Sequence, residues 1–198
     1  DTIAVNPALH GAASDGDYCY LWGAQLEAAS FPSSYIPTTT ASATRAADSL
    51  TVTGVTGLGS TLTAFAEFEF SGADSSVSPN GRVALSVTNG TFNERMYIYN
   101  ISGNVGGLTQ NGGITQAAPS VAGTVPVGTQ IKTAYRQDAN NFQFCKNGTL
   151  GTIDATGTLP STPNEICLGG AGPLIGYLRR AAIYASAKTD AQLQAMTT

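Results

Sequence analysis

Tight-turn signals recur along most of the chain and separate short runs of strand-like sequence. The turn signals are Pro79-Asn80-Gly81, Asn89-Gly90, Asn111-Gly112-Gly113, Asn147-Gly148 and Gly169-Gly170. Strand-like runs occupy residues 50–55, 61–70, 82–90, 95–101, 129–137, 141–148, 165–170 and 177–186. Asn-Gly pairs favour the positive φ values that two-residue hairpin turns require, so they predict antiparallel neighbours. This many short strands with turns between them predict an all-β sandwich or barrel.

Composition agrees with that fold class and excludes two classes of partner. Charged residues make up 11% of the chain, whereas a typical domain has about 25%. The net charge is −4, so the chain lacks the positive footprint that nucleic-acid binding needs. No run of apolar residues is long enough to span a membrane. We therefore expect neither a nucleic-acid partner nor a membrane partner.

The end of the chain carries the only strong helix signal. Thr189 and Gln192 have the spacing of a capping box, and Leu193 and Met196 follow as a short apolar stripe. So short a helix gains its stability from packing, and we expect it to dock on a sheet.

The first part of the chain has a different organisation. Residues 17–27 alternate like a strand and place Tyr18, Tyr20, Trp22 and Leu26 on one apolar face, which we predict to be a subunit interface. Residues 28–47 are rich in Pro, Ser, Thr and Ala and are typical of an extended linker. Because the chain begins with Asp1 rather than Met, we expect a cut end there.

Residues 48–198 resemble a concanavalin A-like, laminin-G-type jelly roll. The resemblance rests on FQFCKNG (142–148), ICLGG (166–170), GYLRRAAIY (176–184) and KTDAQLQAM (188–196), in that order. It implies an antiparallel jelly-roll sandwich that ends in one short helix. The closing strand breaks strict alternation, so we also expect a β-bulge near Arg179-Arg180.

Residues 22–48 carry a second resemblance, to a junction found in bacteriophage tail and fibre proteins. The matching segments are WGAQLE (22–27), SYIPT (34–38) and TRAAD (44–48). The resemblance implies that residues 1–27 end a carbohydrate-binding-module-like jelly roll and that residues 28–47 link it to the sandwich. It also implies a virion surface protein that contacts other virion proteins and forms a homo-oligomer, commonly a trimer. We expect non-enzymatic adhesion to a host-surface glycan, with purely structural decoration of the virion as the alternative.

A pair of acidic residues is the one catalytic candidate. On a strand, Glu67 and Glu69 point to the same face with Cα atoms about 7 Å apart, and retaining glycosidases use carboxyl pairs about 5–5.5 Å apart. The alternative is that Glu67 and Glu69 lie on a solvated outward face of the strand. The inward face would then carry either Phe65 or the pair Phe68 and Phe70. His10 is the only histidine, which disfavours a Ser-His-Asp triad and a transition-metal centre. We therefore predict no enzyme activity and no catalytic residue.

Two loops offer oxygen ligands for calcium. Asp138, Asn140 and Asn141 form one set, and Asp74, Ser75 and Asn80 form the other. The alternative is that Asp and Asn occupy these positions because they tolerate turn geometry. No other cofactor is expected.

One strand offers a glycan-binding surface. Alternation places Arg95, Tyr97 and Tyr99 on one face and Met96 and Ile98 on the other. Aromatic rings can stack on sugars while Arg donates hydrogen bonds. The alternative is that Tyr97 and Tyr99 form a wall of the sandwich core.

The three cysteines, Cys19, Cys145 and Cys167, have no metal-binding spacing. Cys145 and Cys167 could form a disulfide across adjacent strands, and the alternative is a set of free, half-buried thiols.

Overall fold

The computed structural model describes residues 25–26, 35–43, 50–70, 82–101, 103–169, 174 and 176–198. Contacts divide the chain into two compact units, Asp1–Arg45 and Ala46–Thr198. The described residues of the first unit form neither strand nor helix, and within it the Ile36 amide donates to Gln25 Oε1 at 2.6 Å. The predicted interface residues Tyr18, Tyr20 and Trp22 lie outside the described residues, and Leu26 is exposed. The predicted domain boundaries and this interface stay predictions.

The second unit is a sandwich of two antiparallel sheets. Its elements are β1 (Leu50–Thr53), β2 (Leu62–Phe70), β3 (Arg82–Thr88), β4 (Arg95–Ile101), β5 (Asn104–Asn111), β6 (Ile114–Ala117), β7 (Gln130–Gln137), β8 (Gln143–Lys146), β9 (Thr149–Leu150), β10 (Glu165–Leu168), β11 (Gly176–Tyr184) and α1 (Asp190–Thr197). The six-stranded sheet has the order β1-β10-β3-β4-β5-β6, and the five-stranded sheet has the order β11-β2-β7-β8-β9. The all-β sandwich with one C-terminal helix is confirmed.

Strand alternation builds the core between the sheets. The inward side chains of β2 are Leu62, Ala64, Ala66, Phe68 and Phe70. They pack against inward residues of the six-stranded sheet, including Leu85, Val87, Met96 and Ile98. The alternate side chains of the same strands lie on the two outer faces of the sandwich.

Two of the predicted turns and the predicted bulge are confirmed, while the predicted turn at residues 79–81 lies outside the described residues. Asn147 and Gly148 form the β8–β9 turn with φ values of 47° and 75°, a conformation that L side chains other than Asn and Asp rarely adopt. The register of β11 against β2 shifts between Leu178 and Arg180, which is the predicted bulge. Gly112 and Gly113 also have positive φ in the β5–β6 turn.

The helix α1 docks on the outer face of the five-stranded sheet. Thr189 and Gln192 form the predicted capping box, and Leu193 is fully buried against a small cluster with Phe65 and Cys145. Phe65 therefore lies under the helix, and the inward positions of β2 belong to Phe68 and Phe70. Among the helices that the structure describes, none is long and apolar enough to cross a membrane.

Of the two alternatives for Cys145 and Cys167, the disulfide across adjacent strands is wrong and free thiols are observed. Cys145 lies on β8 of the five-stranded sheet and Cys167 on β10 of the six-stranded sheet, and both are free. Cys145 packs under α1, whereas Cys167 pairs in register with Ser86 on the other sheet. The two thiols therefore point away from each other, on opposite outer faces of the sandwich.

Candidate functional site

The outer face of the six-stranded sheet carries a row of polar side chains. Strand register aligns Thr53, Glu165, Thr88, Arg95 and Gln110 across five neighbouring strands. Their neighbours along each strand, such as Val87, Met96 and Ile166, face the core. The alternation that fills the core thus places one acid, one base and several hydroxyl or amide groups on the opposite face.

A cavity of about 280 Å³ opens on this face. Its lining includes Thr51, Thr88, Phe92, Arg95, Glu165 and Cys167. Strands β1, β10, β3 and β4 supply its floor, and the loop of residues 89–94 supplies its wall. Its mixture of aromatic, hydroxyl and charged groups is typical of a site that orients a small polar ligand.

Phe92 and Arg95 line the cavity, and Arg95 also contacts the ring of Tyr97. The guanidinium carbon of Arg95 lies 5.1 Å from the centroid of the Phe92 ring and 4.5 Å from that of the Tyr97 ring. Arg95 Nε also donates to Gln110 Oε1 at 2.6 Å. Arg95 and Tyr97 are buried, but Phe92 is 63% exposed. The stack therefore holds one accessible aromatic ring at the cavity, supported from behind by a cation.

Glu94 holds the loop of residues 89–94 in place. Its Oε1 accepts from the Gly112 amide and its Oε2 from the Ser161 amide, both at 2.7 Å. These two backbone hydrogen bonds lower the pKa of Glu94 below its ordinary value. On the other side of Phe92, Thr88 Oγ1 donates to the Thr91 carbonyl at 2.6 Å. The exposed ring is thus carried by a loop that is fixed at both ends.

The structure places the predicted glycan-binding residues on one face. Met96 and Ile98 lie in the core, and alternation places Tyr97 and Tyr99 on the other face of the strand. Tyr97 is only 2% exposed, however, and its ring contacts Arg95. The binding role of these three residues stays a prediction.

Sequence reasoning missed Phe92, Glu165 and Cys167. An aromatic residue just after the Asn89-Gly90 turn was a usable signal for Phe92. The sequence contains no such signal for Glu165 and Cys167, because only the pairing of β10 with β3 brings them to the cavity.

Glu67 and Glu69 lie on the outer face of the other sheet and are ion-paired. Arg180 Nε lies 2.6 Å from Glu67 Oε2, and Arg179 Nη2 lies 3.0 Å from Glu69 Oε2. The hydrogen bond from Arg180 lowers the pKa of Glu67. A glycosidase general acid needs a raised pKa instead, so Glu67 does not have the electrostatics of that role.

The candidate calcium ligands each accept hydrogen bonds from the protein. Arg136 Nη2 donates to Asn141 Oδ1 at 2.5 Å, Thr61 Oγ1 to Asp138 Oδ1 at 3.1 Å, and the Gly157 amide to Asn140 Oδ1 at 3.2 Å. Asn140 has a φ of 54°, as expected of a turn residue. A guanidinium beside Asn141 would repel a cation, which favours the turn interpretation. The other set, Asp74, Ser75 and Asn80, lies outside the described residues.

The fold is shared with known sugar-binding domains. It is similar to the CBM40 domain of a Ruminococcus gnavus sialidase, described as bound to α2,3-sialyllactose (TM-score 0.55, 22% identity, 71% of this chain and 84% of that chain). It is also similar to domain 4 of the Geobacillus stearothermophilus arabinanase AbnA, described in complex with arabinotriose (TM-score 0.59, 12% identity, 72% and 69% of the two chains).

A further similar structure is the LG4-5 fragment of the mouse laminin α1 chain (TM-score 0.50, 8% identity, 70% of this chain and 40% of that chain). No protein-family model and no curated protein matches the chain. The neighbours confirm the predicted jelly roll of the carbohydrate-binding-module and laminin-G type.

Proposed function

We propose that this chain is a non-enzymatic glycan-binding module and that the cavity beside Phe92 is its binding site. The observation that carries the proposal is the exposed Phe92 ring, held over Arg95 at the edge of a cavity lined by hydroxyl and carboxylate groups. An aromatic ring can cover the apolar C–H face of a sugar, while the polar groups exchange hydrogen bonds with its hydroxyls.

The comparisons support this proposal at the level of the fold. Two of the similar domains are described with a bound oligosaccharide. A jelly roll does not by itself specify a function, so the assignment depends on the cavity. The ion pairs of Glu67 and Glu69 support the non-enzymatic part of the proposal.

A glycan array tests the proposal with a matched pair of variants. Phe92 and Tyr177 are both exposed aromatic residues, at 63% and 64%, but Phe92 lies in a loop of the six-stranded sheet and Tyr177 lies on β11 of the other sheet. We expect Phe92→Ala to weaken the binding of every retained glycan by about tenfold or more, since a buried aromatic contact is worth on the order of 1–3 kcal/mol. Tyr177→Ala should bind like the parent protein. Failure of the parent protein to retain any glycan would overturn the proposal.

Hydrolysis is the enzymatic alternative, and the same glycans test it. We expect no release of reducing ends from any glycan that the protein binds. Release that disappears in Glu67→Gln or Glu69→Gln would show instead that the chain is a hydrolase.

The biological setting that we propose rests on the resemblance of residues 22–48 to a phage junction. In that setting the protein is a virion appendage that contacts other virion proteins, attaches to a host-surface glycan and assembles as a homo-oligomer, with a trimer expected. Mass spectrometry of purified particles and light scattering of the isolated protein test these points. Presence in particles without glycan binding would favour purely structural decoration.

Binding in this proposal needs no cofactor. Among the described residues, no group of three or more His, Cys, Asp or Glu side chains could hold a metal ion. A gain in affinity or in melting temperature on adding calcium, reversed by Asp138→Asn, would instead establish the calcium site at Asp138, Asn140 and Asn141.

A further inference from the structure

We infer that the cavity takes an electrically neutral sugar and rejects acidic ones such as sialic acids, uronic acids and sulfated sugars. The inference rests on the proposed function, because it names the ligand class of the same site. It comes from the way in which the cavity presents its two opposite charges.

The positive charge of the cavity is covered. Arg95 is 6% exposed, and its guanidinium lies between the rings of Phe92 and Tyr97. Its Nε donates to Gln110. A ligand that enters the cavity therefore meets the Phe92 ring before it meets the cation. Recognition of a carboxylate by Arg needs paired hydrogen bonds from the guanidinium, and a side chain that is 6% exposed offers little surface for them.

The negative charge of the cavity is more accessible. Glu165 is half-buried and lies two strands from Arg95, with Thr88 between them in register. Its Oε1 accepts from Cys167 Sγ at 3.2 Å, and its Oε2 accepts no hydrogen bond from the described residues. Glu165 and Arg95 are the only charged residues among the described ones that line the cavity.

The covered cation and the accessible carboxylate together determine which ligand charge the cavity favours. Sugar hydroxyls donate hydrogen bonds, and a carboxylate such as Glu165 is a strong acceptor for them. A carboxylate or sulfate on the sugar would be repelled by Glu165, and the repulsion is strong because a half-buried site screens charges less than water does. The net charge of −4 adds to that repulsion at longer range.

The test uses pairs of glycans that differ only in one terminal acidic sugar, with the full chain as the binding protein. We expect the neutral member of each pair to bind at least about tenfold tighter, with little change between about 50 mM and about 500 mM NaCl. Glu165→Gln should reduce the difference in affinity between the neutral and the acidic glycan by about tenfold, because it removes the repulsion and keeps an acceptor oxygen. Glu69→Gln makes the same charge change on the opposite sheet and should leave this difference in affinity unchanged.

The outcomes separate this inference from the proposed function. Tighter binding of the acidic member, lost at high salt and unaffected by Glu165→Gln, would overturn the inference and leave glycan binding standing. Binding of neither member of any pair would overturn the proposed function, and the inference with it.

Discussion

The ring of Tyr135 occupies the space that a side chain on Gly107 would need. A Cβ on Gly107 would lie 2.4 Å from Cγ of Tyr135. Gly107 belongs to β5 and Tyr135 to β7, so this contact joins the two sheets. The Tyr135 hydroxyl also lies 2.7 Å from Thr109 Oγ1, which in turn donates to Gln137 Oε1 at 2.7 Å. The ring and its hydroxyl are therefore fixed together in the middle of the core.

This contact predicts that Gly107→Ala destabilises the sandwich. The added methyl group must displace the Tyr135 ring and disturb its hydrogen bonds, and overpacking of this kind costs about 1–3 kcal/mol. Urea denaturation gives the loss in free energy of unfolding. Gly59→Ala is the control, because a Cβ there meets no atom closer than 3.9 Å. Equal stabilities for the two variants would contradict the contact.

A second prediction concerns how α1 is attached. Arg136 donates to Asn141, to the Lys188 carbonyl and to Asp190. The Arg136 side chain is 6% exposed, whereas Asp190 is 53% exposed. We expect Arg136→Lys to cost about 2 kcal/mol, because one ammonium cannot replace the guanidinium fork and leaves buried acceptors unpaired.

Asp190→Asn is the matched comparison for Arg136→Lys. It should cost at most about 0.5 kcal/mol, since its partner keeps other acceptors and the carboxylate is largely solvated. Urea unfolding of both variants measures the difference. A larger loss in Asp190→Asn would mean that the ion pair, rather than the buried hydrogen bonds, attaches the helix.

Local signals predicted the fold, and non-local pairing formed the candidate site. The Asn147-Gly148 turn, the bulge at Arg179-Arg180 and the capping box at Thr189 each depend on a few adjacent residues, which is why the sequence was sufficient. The cavity depends on β10 pairing with β3 and β1, elements that are far apart in the chain. No local pattern in the sequence specifies that pairing.

The strand prediction at Arg95 shows the same division. Alternation correctly separated Tyr97 from Met96. Alternation gives the face on which a side chain lies but not what covers that face, so the 2% exposure of Tyr97 could not be predicted from the sequence. The exposed aromatic ring of the cavity is therefore Phe92 and not Tyr97.

A third prediction concerns the pH dependence of the loop that carries Phe92. The pKa of Glu94 is lowered from its ordinary value of 4.5 because its carboxylate accepts from the Ser161 and Gly112 amides. A group with a lowered folded-state pKa contributes stability above its unfolded pKa and loses it as the pH falls through the folded pKa. The two hydrogen bonds should therefore persist at neutral pH and break only in acid below the ordinary pKa of glutamate.

NMR titration measures this transition directly. We expect the amide proton shifts of Gly112 and Ser161 to move together, with a common midpoint below 4.5. In Glu94→Gln neither amide should show that transition. A midpoint at or above the ordinary value, or two different midpoints, would contradict the proposed attachment of the loop.

The last prediction uses the two described cysteines to locate the binding site. Cys167 lines the cavity and is half-buried, whereas Cys145 is fully buried beneath α1. Burial raises the pKa of both thiols, so alkylation should be slow at neutral pH and faster in mild alkali.

In a Cys19→Ser background we expect an alkylating reagent to modify Cys167 first, and the adduct to fill the cavity and abolish glycan binding. Cys167→Ser treated in the same way should keep its binding. If alkylation of Cys167 leaves glycan binding unchanged, the ligand binds somewhere other than the cavity beside Phe92.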